Sequence, residues 1–432
     1  MSLNKSISKI TGTELLEHLK SEKKKLISEK HLMDKKDNHI YPIKEELFNI
    51  PENWVWCYLS DISIIQEGPG IRKHQYCNEG IQFLTVTNIL EGEVDLEKSK
   101  KYISIDEYQK VYKHFTINYG DIVTACSGGS WGKSAIYELN EKLILNTSTL
   151  RLRFFNDLGS NKYLYYLTKT TFFKDSLNSH LTGQQPNYGY SHYSKIQIPL
   201  PPLPEQQSIV AILDESFAAI AKAKANAEQN LKNVKELFES YLQGVFEKKG
   251  EGWAEKTLGE VCCSKSSNVS QNQLTDEVGD YPIFGASGLI KNVSFYHRDK
   301  PYLSIVKDGS GFGRITKMDA FTSVIGTLQY ILPNDDIDLD YLNYSLMSVD
   351  FKKYVQGAAI PHIYFKDYKN EPFLWMPLQE QKNIVQKLDA LSAEIKKLEA
   401  IYNQKINDLE ELKKSFLQKA FSGELKTAKA LV

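Results

Sequence analysis

Near the end of the chain, apolar residues recur at alternating steps of four and three: Ile384, Leu388, Leu391, Ile395, Leu398, Tyr402, Leu409, Leu412 and Phe416, with Lys405 the one break. That is the spacing of a heptad seam on a long helix. Residues 205–246 align with residues 380–421 without a gap, at a constant offset of 175 (380 − 205). Identical pairs at that offset include Ile209/Ile384, Val210/Val385, Leu213/Leu388, Asp214/Asp389, Gln243/Gln418 and Phe246/Phe421. Two helices of 42 residues each (246 − 205 + 1) are therefore predicted, each about 60 Å long at 1.5 Å per residue. Their seams run through Ile209, Leu213, Ile220, Val234 and Leu237 on the first, and Ile384, Leu388, Leu391, Ile395, Leu398, Leu409 and Leu412 on the second. Ala223 and Ala227 stand where the second copy has Leu398 and Tyr402, so small residues meet large ones in either a parallel or an antiparallel pair. The proline run before Glu205 forbids helix upstream and favours an abrupt start.

Outside these rods the pattern changes to short β-rich runs broken by Gly, Asn and Asp: "GIQFLTVTNI", "GDIVTACSGG", "LILNTSTLRLRFF", "KPYLSIVKDG" and "FTSVIGTLQYIL". Short helices are predicted at "NKYLYYLTKTTFFKDSL" and "LDYLNYSLMSVDFKKYV", in corresponding places. Two α/β heads with mixed sheets result. The heads echo each other more weakly than the rods do. "PENWVWCYLSDI" resembles "GEGWAEKTLGEV", aligning Trp54 with Trp253, and "SWGKSAI" resembles "GFGRITK", aligning Trp131 with Phe312, Gly132 with Gly313 and Lys133 with Arg314. A shorter N-terminal helix opens on Thr11 with Glu14 three residues later, a capping box, and carries Leu15, Leu19 and Leu26 on one face. Its Lys23 to Lys25 run reads as a solvated face.

Charge narrows the chemistry. The chain of 432 residues holds 53 basic and 54 acidic residues, and the first head, Pro51 to Leu200, balances 15 against 15 by the same count. Phosphate attraction spread over the whole surface is therefore excluded as a binding mode. The 25 tyrosines instead suit contact surfaces that are part apolar and part hydrogen-bonding. The five cysteines form no CxxC pair, which excludes a disulfide framework or a zinc ribbon. With no membrane-length apolar run and no signal-peptide pattern at "MSLNKSISKITG", a cytoplasmic protein is expected.

"SGGSWGKS" falls one residue short of a phosphate-binding P-loop, because Ser127 stands where Gly is needed and a strand, not a helix, follows. The histidines show no HExxH or HxH spacing, no GxSxG elbow occurs, and the adenine-methyltransferase signature of Asn or Asp before Pro-Pro and an aromatic is missing. Glu424 and Lys426 alone do not make a nuclease site. No catalytic residue, metal site or cofactor is predicted. What remains is a pair of Gly-rich turns able to bring backbone and a cation to a phosphate or a guanine edge. Candidate contact residues are Ser130, Trp131 and Lys133 in the first head, and Gly311, Phe312 and Arg314 in the second. A second loop, "GQQPNYGYSHY", offers Gln184, Gln185, Asn187 and Tyr188, and its counterpart "GAAIPHIYFK" offers His362 and Lys366.

With these parts assembled, the chain resembles the specificity subunit of type I restriction–modification systems. The resemblance is carried by "TGTELLEHLKSEKKKLI", "IPENWVW", "GDIV", "PLPPLPEQQ", "YPIFGASGLI", "MPLQEQ" and "FLQKAFSGEL", and it covers nearly the whole chain. One departure is "MPLQEQ", where the family's prolines thin to Pro372 and Pro377. The resemblance implies a non-catalytic DNA-reading adaptor. It implies an N-terminal helical segment over 1–45 and target recognition domains over 46–203 and 250–378. Spacer helices follow over 204–249 and 379–432, the latter with the C-terminal tail. The helices would pair as an antiparallel coiled coil with a pseudo-twofold internal repeat, each domain reading half of a bipartite asymmetric target. Two methyltransferase subunits and the restriction subunits would dock, and S-adenosylmethionine, ATP and Mg would belong to those partners. The competing expectation is a two-headed coiled-coil scaffold that does not act on DNA, for which the neutral charge is the main argument.

Overall fold

The computed structural model describes residues 10–33, 35, 39, 43, 46–155, 157–179, 186–247, 250, 252–357 and 360–425. It divides into two compact units, one of residues 1–224 and 407–432, the other of residues 225–406. Each unit thus contains one head and a part of each long helix.

In the first unit, α1 (Gly12–Ser28) begins at Thr11 with the predicted capping box: Glu14 N donates to Thr11 Oγ1 at 3.3 Å, and Thr11 N to Glu14 Oε2 at 2.7 Å. Leu15, Leu16 and Leu19 bury its apolar face in the core. The head that follows contains β1 (Val55–Tyr58), β2 (Ser63–Glu67), β3 (Ile81–Phe83), β4 (Tyr102–Ile103) and β5 (Ile122–Ala125). It continues with β6 (Ser134–Ile136), β7 (Leu143–Ile144), β8 (Thr149–Phe154), α2 (Asn161–Leu167), α3 (Thr171–Ser179) and β9 (Gln197–Leu200), then the rod α4 (Leu203–Glu247). The strands form a four-stranded antiparallel sheet, β2-β8-β5-β6, a mixed sheet β4-β3-β7 with β3 and β7 parallel, and the pair β1-β9.

The second unit repeats this plan. Its strands are β10 (Ala254–Thr257), β11 (Cys262–Ser266), β12 (Tyr281–Gly285), β13 (Gly288–Val293) and β14 (Tyr302–Val306). There follow β15 (Ile315–Met318), β16 (Ser323–Val324), β17 (Leu328–Pro333), α5 (Leu339–Met347), β18 (Pro372–Trp375) and the second rod α6 (Leu378–Phe421). The sheets are β11-β17-β14-β15, β13-β12-β16 with β12 and β16 parallel, and β10-β18. Every sheet of one head has its counterpart, in the same strand order, in the other.

The rods run antiparallel in each unit. In the first, the N-terminal part of α4 meets the C-terminal part of α6: Lys224 pairs with Glu410 at 2.5 Å, and Lys413 lies 5.2 Å over the Phe217 ring. In the second unit, later residues of α4 meet earlier ones of α6, as in Lys235 and Glu399 at 4.0 Å. The helices hold 45 and 44 residues, each starting two residues earlier than predicted; the first ends one residue later and the second at the predicted Phe421. Both start on a proline carbonyl. Pro202 O accepts from Glu205 N at 2.9 Å, and Pro377 O accepts from Glu380 N at the same distance. Thinning of the prolines before the second rod thus leaves its start unchanged, because Pro377 occupies the place of Pro202.

The predicted seam holds at its start and then slips. Ile209, Leu213, Ile220, Leu388 and Ile395 are buried, and Val234, Ile384, Leu391 and Leu409 are half-buried. Leu237, Leu398 and Leu412 are not seam residues: they stand 62%, 38% and 44% exposed. On α4 Phe238 and Leu242 are covered instead, and on α6 the predicted Tyr402 and Phe416 stay half-buried while Leu417 is buried. The cause is the mismatch between 3.6 and 3.5 residues per turn, about 20° per heptad, which moves the buried face by nearly one residue over four heptads.

Candidate functional site

The Gly-rich turns are built alike in both heads. Each closes an antiparallel hairpin, β5–β6 in one and β14–β15 in the other, so the near-P-loop at Ser127 to Ser134 has no helix after it and no nucleotide geometry. Gly128 and Gly132 stand at φ +63° and +79°, and Gly309 and Gly313 at +94° and +79°, a left-handed backbone that side chains disfavour. Between them the hydrogen bonds repeat: Gly132 N to Ala125 O and Gly313 N to Val306 O, both 2.9 Å, and Trp131 N to Gly128 O and Phe312 N to Gly309 O, both 3.2 Å. One backbone therefore carries two sets of side chains.

In each head the second candidate loop docks on this turn. Ser127 bridges Asn187, and Tyr188 N donates to Cys126 O at 2.9 Å. In the other head Asp308 bridges His362, and Ile363 N donates to Lys307 O, also at 2.9 Å. The two loops of each head thus form one surface. Asn187, Arg314 and Lys366 are exposed on it, and Ser130, Trp131, Lys133, Gly311, Phe312 and His362 are half-buried.

Tyr188 is different. It is 2% exposed, its ring lies 5.2 Å from that of Trp131, and its hydroxyl donates to Asn178 Oδ1 at 2.6 Å. It supports Trp131 from below and presents nothing outward, a correction to its expected contact role. Gln184 and Gln185 lie outside the described residues. His362 sits with its ring 5.1 Å from that of Tyr364, over which Lys366 Nζ stands at 5.3 Å.

Arg314 is placed by a third element. Its guanidinium donates to the carbonyl of Ala286, in the turn joining β12 to β13. Beside it a cavity of about 200 Å³ is walled by Ala286, Ser287, Gly288, Ser304 and Thr316. A guanidinium has five N–H donors in a planar fork, so one carbonyl leaves donors for a planar acceptor edge.

The head-to-rod joints explain the recurring "EQ" at both helix starts. Glu205 accepts from Trp54 Nε1 at 2.7 Å, and Glu380 from Trp253 Nε1 at 2.5 Å. Gln206 and Gln381 are fully buried. Gln206 Nε2 donates to Pro201 O at 2.9 Å and its Oε1 accepts from Ser160 N at 3.0 Å, where Ser160 caps α2. Gln381 Nε2 donates to Met376 O and its Oε1 accepts from Asp338 N, both at 2.8 Å, where Asp338 caps α5. About two turns further on, Asp214 accepts from the Tyr166 hydroxyl, and Asp389 from that of Tyr344 at 2.7 Å. Burial, and then these carboxylates, push both phenols well above their ordinary pKa. The sequence pairs Trp54 with Trp253 and Asp214 with Asp389 but does not mark Gln206, Gln381, Tyr166 or Tyr344 as their partners.

The profile of the type I restriction modification DNA specificity domain matches residues 51–232 and again residues 250–410. The chain belongs to this family. Among its relatives, the specificity subunit of the StySPI type I restriction enzyme of Salmonella potsdam is 24% identical over 428 residues, covering 87% of this chain and 90% of that protein. The EcoKI specificity subunit of Escherichia coli strain K12 is 24% identical over 426 residues, with the same shares. The MjaVIII specificity subunit of Methanocaldococcus jannaschii is 27% identical over 206 residues, and that match spans about half of each, 46% of this chain and 48% of the relative. A chain from a structural study of type I restriction–modification complex assembly superposes with a TM-score of 0.73 at 19% identity, covering 88% of this chain and 100% of that one. The HsdS subunit of Thermoanaerobacter tengcongensis superposes with a TM-score of 0.58 at 21% identity, covering 89% and 100%. In fold, then, both heads and both rods match members of the specificity family.

Proposed function

We propose that this protein is the DNA sequence-recognition subunit of a type I restriction–modification complex. The observation that carries the proposal is the duplicated two-loop surface, identical in backbone and unlike in side chains. Such a device reads two different half-sites with one scaffold. Lys133 and Asn187 serve the first head, Arg314, His362 and Lys366 the second. Arg suits the O6 and N7 acceptors of guanine, and Asn the N6 and N7 of adenine. The antiparallel rods set the spacer between the half-sites. They also dock two methyltransferase subunits, which bring S-adenosylmethionine, and through that complex the restriction subunits with their ATP and Mg. The chain itself supplies recognition without catalysis, in the cytoplasm. The domain division that goes with this function is the one laid out above, heads at 46–203 and 250–378 between helical segments.

Methylome sequencing of cells carrying this subunit and its methyltransferase is expected to show one bipartite asymmetric motif. Arg314→Ala is expected to relax one base position in one half of that motif, at a cost of about 1–3 kcal/mol in discrimination. Equal loss in both halves, or none, would remove Arg314 from the reading surface. Isolated chain showing methyl transfer or ATP hydrolysis would overturn the adaptor role.

A further inference from the structure

The first unit contains a second cationic feature, away from the Gly-rich turn. α1 ends by folding back on itself: Lys30 N donates to Ile27 O at 3.0 Å and His31 N to Leu26 O at 2.9 Å. In this turn Lys30 takes φ +59°, the left-handed position where glycine is the usual occupant. A lysine held there costs stability that a glycine would not, and local strain of this kind points toward a use for the side chain.

The turn forms one wall of a cavity of about 460 Å³ against β2 and β8, lined by Lys23, Lys30 and His31 on one side and by His114 and Arg151 on the other. Acidic groups are few. Glu67 lines the cavity but accepts from Tyr190 N, Glu29 lies 3.4 Å from His31, Asp121 holds Arg151 at 2.9 Å, and Lys23 is within electrostatic reach of Asp61. Arg151 Nε, on a lining residue, is a buried donor without a hydrogen-bond partner. At its far end the cavity reaches Tyr190, three residues beyond Asn187. A basic wall thus runs from the end of α1 to the candidate reading loop.

We propose that this cleft binds a backbone phosphate of the DNA beside the first half-site, with Lys30 the principal contact. The inference rests on the DNA-recognition reading above. It brings cations from α1, outside the charge-balanced stretch Pro51 to Leu200, to a head that has no basic excess of its own.

The test uses the full-length chain with its methyltransferase and two duplexes, one of random sequence and one carrying the methylated motif. Lys30→Gly suits the left-handed backbone, so its melting temperature is expected to equal or exceed that of the wild type. It is expected to weaken binding to both duplexes alike, roughly fivefold near 0.1 M salt, and to lower the slope of log K against log[salt] by about 0.9, the value for one phosphate contact. Lys30→Arg is expected to restore both. Unchanged affinity and slope in Lys30→Gly, with wild-type binding intact, would sink the cleft and leave the recognition role standing. A wild type that binds neither duplex would sink both. If millimolar inorganic phosphate raises the melting temperature of the wild type but not of Lys30→Gly, while duplex affinity is unchanged, the cleft holds a free anion and the DNA assignment is wrong.

Discussion

A glutamine is ordinarily a surface residue, yet Gln206 and Gln381 are among the most deeply buried polar groups of their units. Each amide ties a carbonyl two residues before the rod, Pro201 O or Met376 O, to the cap of a head helix. Replacing Gln206 with Leu leaves Ser160 N and Pro201 O unpaired in the interior. At about 1–3 kcal/mol for each orphaned group, the first unit is expected to lose about 2–4 kcal/mol, read by urea denaturation. The phenols of Tyr166 and Tyr344 give a pH test. Their folded pKa lies above the unfolded value of 10.0, so the stability they contribute is complete below pH 10 and is lost as pH rises toward the folded value. Alkaline titration followed by phenolate absorbance and circular dichroism is expected to show the two ionising together with loss of structure, and Tyr166→Phe to weaken that dependence. None of this was legible residue by residue. Gln, Tyr and Trp each serve surfaces and cores, and only their recurrence in corresponding places of the two halves marks them, at offsets of 175 (381 − 206), 178 (344 − 166) and 199 (253 − 54). Tyr188 shows the converse, since an amphipathic side chain beside a polar loop looks outward-facing until its hydroxyl is seen to be satisfied by Asn178.

At the scale of elements, the long helices were legible because their pattern extends over many turns, and the strands because Gly and Asn punctuate them. The seam was legible at most of its positions and failed at three. A heptad pattern and a straight α-helix share a face for two or three heptads, then part company. Leu237, Leu398 and Leu412 look like seam residues by spacing and are exposed by geometry. Pair direction was not legible in the spacing, because small-against-large complementarity fits either direction, and only the resemblance implied it; the contacts Lys224 with Glu410 and Lys235 with Glu399 decide it. That pair also shows where the rods can be lengthened in register. Inserting seven residues after Lys224 and seven beside Glu410 adds about two turns to facing points, with a rotation of about 20°. The methylome motif is then expected to keep both half-sites and gain spacer length. The same insertions placed after Leu213 and Leu388 do not face each other, and are expected to misalign the helices and depress the melting temperature. A motif whose half-sites changed would show that the rods do more than measure. The Lys224–Glu410 pair itself is half exposed, so Lys224→Ala is expected to cost only roughly 0.2–1 kcal/mol.

Over the whole chain, duplication is economical because one set of sheets, turns and joints carries different side chains at the two recognition surfaces. Both heads keep their sheets, their left-handed glycines and their joints to the rods, and differ at Lys133 against Arg314 and Asn187 against His362. A sequence can reveal such a plan without revealing which bases it reads, since recognition depends on side chains that have no counterpart to compare with. The slipped seam has a consequence at this scale. It leaves apolar side chains uncovered on the rods: on α6, Leu398 and Ile401 are 38% and 58% exposed, one turn apart on the same helix. Isolated exposed leucines need no explanation, but a pair on one helical face fits a partner that covers it. The methyltransferase subunit is the partner proposed for the rods. Leu398→Glu with Ile401→Glu is expected to leave the melting temperature within a degree or two, because neither side chain is in a core. The same double variant is expected to weaken co-purification with the methyltransferase by tenfold or more, about 1.4 kcal/mol. Methylation in cells should fall at every site equally, since the heads are untouched. Full assembly by the double variant would place the docking surface elsewhere on the rods, and a change in the motif itself would show that α6 takes part in reading DNA.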